Sequence, residues 1–408
     1  MLMRGRWRSQ FPKPLSLLSS RFASKGPPTR QNVNWLHFKN CPWTPSGLAV
    51  SCCGTREFSG SASLHQHPAV VAPRGSFTPT CSSPSTSSSF SSPPVSTSPK
   101  PQRDDTRITS NMTATKIDGT AIAKAIRARL RSEIEETQKT DPSYKPSLKI
   151  IQVGDRPDST TYVRMKLKAA QEANIDCELV QFPETIPQDD LLETLNRLNN
   201  DPSVHGILVQ LPLPNTISEN AITSAVSDEK DVDGFGTNNI GELAKRGGRP
   251  SFIPCTPKGV MVLLQETGID LKGKHAVVLG RSNIVGSPVS YLLKDAHATV
   301  TVCHSHTVGI ENIVKLADVL VAAIGVPNFV KGEWLKPGAV VIDVGTNSIE
   351  DSTKKSGWRL TGDVDFASAS EVASFITPVP GGVGPMTVAM LLQNVVDSAT
   401  AHSKKQKA

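Results

Sequence analysis

Tyr162 and Lys166 stand four residues apart in Ser159-Thr-Thr-Tyr-Val-Arg-Met-Lys166, so on a helix both side chains share one face. A lysine beside a phenol, once partly desolvated, has a lowered pKa and can carry protons near neutral pH. The same spacing fits a solvated surface pair, so the rest of the chain must decide. Gln210 closes the apolar run Gly206-Ile-Leu-Val-Gln-Leu-Pro-Leu-Pro214. That is a strand end, where α/β sheets hold ligands, although a glutamine there could equally bond its own loop. Asp233 follows in an acidic turn, either as a ligand anchor or closing an Asx-turn. Asp231, Asp233, Asn239 and Glu242 have calcium-loop spacing, but Phe235 stands where an oxygen ligand belongs, and no calcium is expected.

A second chemistry-bearing unit begins at Lys274. A strand to Leu279 runs into Gly280-Arg-Ser-Asn-Ile-Val-Gly286 and then a helix. Glycines at such a turn let the backbone approach a pyrophosphate, which also meets the positive end of the helix. The spacing is G-x5-G rather than G-x-G-x-x-G, so the following strand, Ala298–Cys303, carries the reading. An NAD site ends that strand in Asp or Glu for the ribose hydroxyls. This one ends His304-Ser305-His306, with Arg281 available. A missing acid and a present cation favour NADP. Two histidines without a third ligand make no metal site. Farther on, Pro378-Val-Pro-Gly-Gly-Val-Gly-Pro385 packs three glycines and three prolines around one strand end. A plain turn needs fewer, so this rigid loop is expected to face a ligand.

The elements that must position these groups alternate along the chain. Ile122, Ile126, Leu130 and Ile134 predict an amphipathic helix over 118–138. Leu148–Val153, Ile175–Phe182 and Val204–Leu211 read as strands, separated by the Tyr162/Lys166 helix and by a helix over Gln188–Asn200. Lys274–Leu279, Ala298–Cys303, Asp318–Gly325 and Gly338–Gly345 continue the pattern, with a polar insertion at 351–359. The rhythm means parallel sheets covered by helices on both faces. The expected fold class is α/β with two lobes and a cleft between them. An N-terminal α/β catalytic domain spans 112–257 and is completed by a helix over 385–401. A Rossmann-like nucleotide-binding domain spans 258–384, and 402–408 is a solvated tail.

Residues 1–111 read as a leader. Residues 1–103 hold twelve Lys and Arg against one acid, Glu57, a net +11; the whole chain is only +7, so the remainder carries −4. The basic pI therefore gives no reason to expect nucleic-acid binding by the folded part. An Arg-rich, Ser-rich, acid-poor start reads as an organelle transit peptide, and mitochondrial targeting is expected. Translation from Met112 would give a cytoplasmic form, and a plastid address stays open. No apolar run approaches a membrane span. Four of the seven cysteines lie in the leader; Cys177, Cys255 and Cys303 are odd in number and lack C-x-x-C spacing. That argues for a reducing compartment and against a zinc site.

Six blocks occur in order across about residues 113–400: Tyr162-Val-x-x-Lys166, Gly206–Pro214, Lys230-Asp-Val-Asp-Gly-Phe235, Pro254-Cys-Thr-Pro257, Gly280-Arg-Ser-x-Ile-Val-Gly-x-Pro288 and Pro378–Thr387. Together they resemble the methylenetetrahydrofolate dehydrogenase/methenyltetrahydrofolate cyclohydrolase family, and within it the N-terminal part of fungal-type C1-tetrahydrofolate synthases. The resemblance implies oxidation of 5,10-methylenetetrahydrofolate with NADP and hydrolysis of the product. It implies Lys166 as catalytic acid/base, Gln210 holding it, Tyr162 stacking on the folate and Asp233 anchoring the pterin. Pro380, Gly381, Gly382 and Gly384 would wall the folate. Arg281 and Ser305 would hold the 2′-phosphate, with Gly280, Ser282, Ile284, Val285, Gly286, His304, Gly325, Gly345, Thr346 and Thr387 around the dinucleotide. A homodimer is also implied. Because the chain stops at Ala408, no ligase activity is expected. A short-chain dehydrogenase also uses Tyr-x3-Lys, but there the nucleotide turn precedes the pair. A non-catalytic NADP sensor would not need Lys166, Gln210 and Asp233 together.

Overall fold

The computed structural model describes residues 113–354 and 357–407; the expectations for the leader, its cysteines and Met112 lie outside them. The described chain opens with a short strand, Thr115–Lys116 (β1), and a helix, Gly119–Thr140 (α1). Asp118 starts α1 because its carboxylate accepts the Ala121 N–H at 3.0 Å, satisfying a donor the first turn leaves over. Ala123, Ile126, Leu130 and Ile134 form the buried stripe of α1.

The first sheet comprises Ser147–Val153 (β2), Asp176–Phe182 (β3) and Gly206–Val209 (β4), parallel in the order β3-β2-β4. Between them run Pro157–Glu172 (α2) and Gln188–Asn200 (α3). Leu148 and Ile150 enter the main core, whereas Ile151 and Val153 enter a second cluster with Leu191 and Leu195 of α3. Alternation along β2 thus serves two apolar faces, which is why its sequence is a continuous apolar run. Truncating the fully buried Ile150 to Ala would cost about 2–5 kcal/mol. Glu219–Ser224 (α4), Thr237–Ala244 (α5) and Cys255–Glu266 (α6) lead out of this lobe.

The second lobe contains His275–Leu279 (β5), Gly286–Asp295 (α7), Thr299–Cys303 (β6), Ile310–Val314 (α8), Val319–Ala322 (β7) and Val340–Asp343 (β8). Asn347–Glu350 (β9) and Trp358–Thr361 (β10) pair antiparallel. Phe366–Ser370 (α9), Phe375–Ile376 (β11) and Val383–Lys407 (α10) follow. The parallel six-stranded sheet has the order β1-β11-β8-β7-β5-β6. Helix α10 packs against α1 and α6. The main core is continuous from Leu148 and Ile150 of the first sheet to Val278 and Val321 of the second.

The two-lobed α/β fold with parallel sheets is the one expected, with four differences. Thr115 and Lys116 fall within the expected first domain, 112–257, but pair with Phe375 and Ile376, so the second sheet includes a strand from outside 258–384. The third strand is shorter than expected, Gly206–Val209 rather than Val204–Leu211. The polar insertion runs into the second strand of an antiparallel pair, because Trp358 through Thr361 find cross-strand partners in β9. The tail is helical to Lys407, whose ammonium donates to Asp141 at 2.8 Å while Lys405 reaches Glu229.

Candidate active site

Helix α2 sets Tyr162 and Lys166 one turn apart, as their spacing requires. Lys166 is half-buried, and its Nζ donates to Gln210 Oε1 at 2.9 Å. Gln210 is 9% exposed and directly follows β4. Its Nε2 donates to the Leu211 carbonyl at 2.8 Å. A carbonyl only accepts and an ammonium only donates, so this bond fixes which end of the amide meets the lysine.

Asp233 supplies the opposite charge. Burial lowers the Lys166 pKa from its ordinary 10.5, and the nearby Asp233 carboxylate works against that shift. Burial likewise raises Asp233, opposed by Lys166 and by a hydrogen bond with the Cys255 thiol. Each charge thus limits the neutralisation of the other. Burial pushes the Cys255 thiol well above 9.0, so it stays protonated beside the carboxylate.

The turn that presents Asp233 is organised by Asp231, two residues earlier. Asp231 is buried and accepts N–H bonds from Gly234 at 3.1 Å, Phe235 at 3.3 Å and Gly236 at 2.7 Å, and from Asn239 Nδ2 at 2.8 Å. Its pKa is raised to about 6 by burial, against these donors. Asp231 therefore closes the Asx-turn and leaves the Asp233 carboxylate to the site. It also removes Asp231 and Asn239 from any calcium loop, and among the described residues no group of three or more His, Cys, Asp or Glu is placed to hold a metal.

A cavity of about 620 Å³ lies between the lobes. Tyr162 and Met165 form one wall, Gly345 and Thr346 another, and Pro380 to Gly384 a third. The glycine loop is held by the start of α1: Thr120 N donates to the Gly381 carbonyl at 3.0 Å. Gly381 has φ +108°, which favours glycine, and a Cβ on Gly119 would sit 1.9 Å from the Gly382 oxygen. These glycines let two backbones touch at the cleft wall.

The expected nucleotide residues gather beyond the carboxyl ends of the second sheet. Gly280 follows β5 with φ +111°, and a Cβ there would lie 2.2 Å from the Ala323 oxygen. Gly286 opens α7, where a Cβ would meet the Gly280 oxygen at 2.3 Å. Ser282 Oγ accepts the Val285 and Gly286 N–H groups at 3.2 and 3.3 Å, shaping the turn. Arg281 and Ile284 are exposed, and Ser305 is exposed with His304 half-buried after β6. Nothing lies within 4 Å of a Cβ on Gly325, an opening in front of β7. Gly345 is different: a Cβ would collide with Asp363 at 2.3 Å. Thr387 bonds Thr256 across α10 and α6 at 2.9 Å. An acid-free strand end, an exposed guanidinium and an open glycine edge fit a phosphorylated dinucleotide.

The sequence named Asp231 and Cys255 without showing their roles beside Asp233, and did not single out Asp343 or Asp363. Asp343 accepts from Gly345, Asp363 and Val364, and Asp363 accepts from Ile324 and Gly325. Two buried carboxylates thereby tie the ends of β7 and β8 together. Burial raises Asp343 to about 7. Acidic residues beside glycines at successive strand ends were the available signal.

Two domains of one family match the chain: the tetrahydrofolate dehydrogenase/cyclohydrolase catalytic domain at residues 117–233 and its NAD(P)-binding domain at 254–403. Bifunctional protein FolD 2 of Arabidopsis thaliana is 55% identical over 290 residues, covering 71% of this chain and 97% of that protein. The cytoplasmic C-1-tetrahydrofolate synthase of Schizosaccharomyces pombe is 60% identical, and the mitochondrial one of Saccharomyces cerevisiae 56%. The alignments cover 71% and 69% of this chain but only 31% and 29% of those longer proteins. The Trypanosoma brucei FolD structure, complexed with NADP cofactor and inhibitor, superposes with a TM-score of 0.68 at 44% identity, covering 72% of this chain and 99% of that one. Agreement over both lobes, at this identity and over nearly the full length of FolD proteins, is decisive: the chain belongs to the tetrahydrofolate dehydrogenase/cyclohydrolase family.

Proposed function

We propose that this chain oxidises 5,10-methylenetetrahydrofolate to 5,10-methenyltetrahydrofolate with NADP and hydrolyses that product to 10-formyltetrahydrofolate. The observation that carries the reading is the 2.9 Å bond from Lys166 to Gln210, with Asp233 as the countercharge. Gly280 and Gly286 at the glycine edge of the second lobe would hold NADP, which would supply the acceptor for the hydride leaving the methylene carbon. Tyr162 stacks on the folate, and Asp233 accepts hydrogen bonds from its pterin. Positioning does most of the work in this step. In the hydrolytic step water adds to the methenyl carbon and the bond from that carbon to N5 breaks, leaving the formyl group on N10. Of the two protons water brings, Lys166, held by Gln210 and kept from full neutralisation by Asp233, passes one to N5 and the other leaves to solvent. Pro380 to Gly384 close the cleft behind the folate, and Arg281 with Ser305 holds the 2′-phosphate.

The reaction belongs to one-carbon metabolism, and its product is the formyl donor for purine synthesis. The chain works as a homodimer, as the family resemblance implies. Its compartment is the mitochondrion; the support is the excess of Lys and Arg over acid in the leader, and a start at Met112 would instead leave the product in the cytoplasm. Sequencing the N-terminus of the protein isolated from cells separates the two.

The activity test mixes protein, 5,10-methylenetetrahydrofolate and NADP and follows NADPH absorbance, then the loss of the methenyl band. Growth of the NADPH band with later decay of the methenyl band is expected; no NADPH would overturn the reading.

A further inference from the structure

Asn394 is a polar residue sunk in the apolar stretch of α10, 1% exposed. Its Oδ1 accepts from Lys258 Nζ of α6 at 2.7 Å. Its Nδ2 donates to the Val232 carbonyl at 2.8 Å and to the Ile253 carbonyl at 3.1 Å. This amide has one self-consistent orientation: Lys258 can only donate and the two carbonyls can only accept, so a flipped amide would lose all three bonds. Lys258 is itself 3% exposed, and its ion-pair partner Asp397, at 3.5 Å, reaches the surface. A buried lysine held so close to an amide is a costly arrangement unless the amide's direction matters.

The two carbonyls that Asn394 holds bracket the folate-anchoring turn. Val232 immediately precedes Asp233, and its oxygen also receives the Cys255 thiol at 3.3 Å. Ile253 begins the Ile-Pro-Cys segment that carries Cys255, the thiol bonded to the Asp233 carboxylate. The same two segments meet at Gly234, where a Cβ would lie 2.7 Å from the Pro254 nitrogen. Asn394 thus ties together the backbone that carries Asp233 and the backbone that carries its hydrogen-bond partner.

We propose that Asn394, oriented by Lys258, is a positioning residue for the Asp233 carboxylate, setting folate affinity without touching folate or NADP. The inference rests on the folate reading above. Losing the bridge frees the Val232–Asp233 peptide to rotate, so the loss falls on folate binding and leaves the nucleotide lobe alone.

Steady-state kinetics of the full chain test it, with folate and NADP varied separately. Asn394→Ala is expected to raise the folate KM about tenfold, the scale of one or two lost hydrogen bonds, with the NADP KM within about twofold of wild type. Asn394→Asp keeps the Lys258 contact but turns an oxygen on both carbonyls, and should be at least as damaging. Lys258→Met, a milder change that leaves the amide unoriented, should raise the folate KM about threefold, and Asn394→Ala should add little in that background. Ser398→Ala removes a bond from the same helix to the Glu229 carbonyl at 3.0 Å, a contact to neither the Val232 nor the Ile253 carbonyl, and serves as control. It should lower Tm without moving either KM.

A folate KM unchanged in Lys258→Met and in Asn394→Ala overturns the assignment, as does an equal rise in both KM values or a rise in Ser398→Ala. Should Asn394→Ala not fold, Lys258→Met alone decides. A wild-type protein without turnover instead removes the folate reading itself, and the positioning role with it.

Discussion

The Lys166–Gln210–Asp233 cluster in the first lobe and the glycine turn in the second are organised in opposite ways. In the first, each charged or amide group has a specific partner: Lys166 the Gln210 side chain, Gln210 its neighbour's backbone carbonyl, Asp233 the Cys255 thiol. In the second, backbone shape does the work. Gly280 and Gly286 are fixed by contacts that admit no Cβ, while Arg281, Ile284 and Ser305 stand exposed. The difference teaches where preorganisation is needed. A proton relay fails when a donor strays by an ångström, so its groups are locked before substrate arrives. A dinucleotide brings its own phosphates, which a rigid glycine edge and exposed side chains can meet.

Substitutions should therefore act differently on the two sides. The largest effect is expected from Lys166→Ala, which should lower the cyclohydrolase rate by about 100–10,000-fold, measured as decay of the methenyl band. A normal rate would remove Lys166 from the relay and erase the contrast. Arg281→Ala comes next, with NADP weakened about 10–100-fold and NAD nearly unchanged in parallel titrations. Equal losses would contradict the 2′-phosphate role. Gln210→Leu should slow hydrolysis about tenfold while NADP affinity stays constant, because only the orientation of Lys166 is lost.

A pH profile sharpens the comparison further. Burial puts the Lys166 pKa below 10.5, and Asp233 pulls it back up. The rising limb of cyclohydrolase kcat/KM should therefore fall below pH 10.5. Asp233→Asn removes the raising influence and should move that limb to lower pH; a limb moving upward would uncouple the pair. The smallest effect belongs to the second lobe. Ser282→Ala removes an acceptor shared by the Val285 and Gly286 N–H groups and should cost about 1 kcal/mol in thermal unfolding.

Much of this was legible in the sequence because its signals are local. Strand and helix periods gave both parallel sheets, and the Tyr162/Lys166 spacing needed only a helix to align them. What stayed hidden is long-range. Nothing nearby in sequence distinguishes Asp231 from Asp233; only the folded turn shows that Asp231 takes the backbone donors. The tail looked solvated because Lys405 and Lys407 find Glu229 and Asp141, more than 170 residues away. The β9–β10 pair escaped because a polar ribbon carries no core-facing alternation.

The pairing of Thr115 and Lys116 with the final strand has its own consequence. Among the described residues the backbone passes first through the second sheet, then builds the first, returns, and runs into α10 packed on α1. Neither lobe is a contiguous cassette: a cut near residue 257 strips an edge from one half and a supporting helix from the other. Recombination that exchanges nucleotide modules between enzymes would have to respect this lacing, so specificity here can change residue by residue but not by transplanting a lobe.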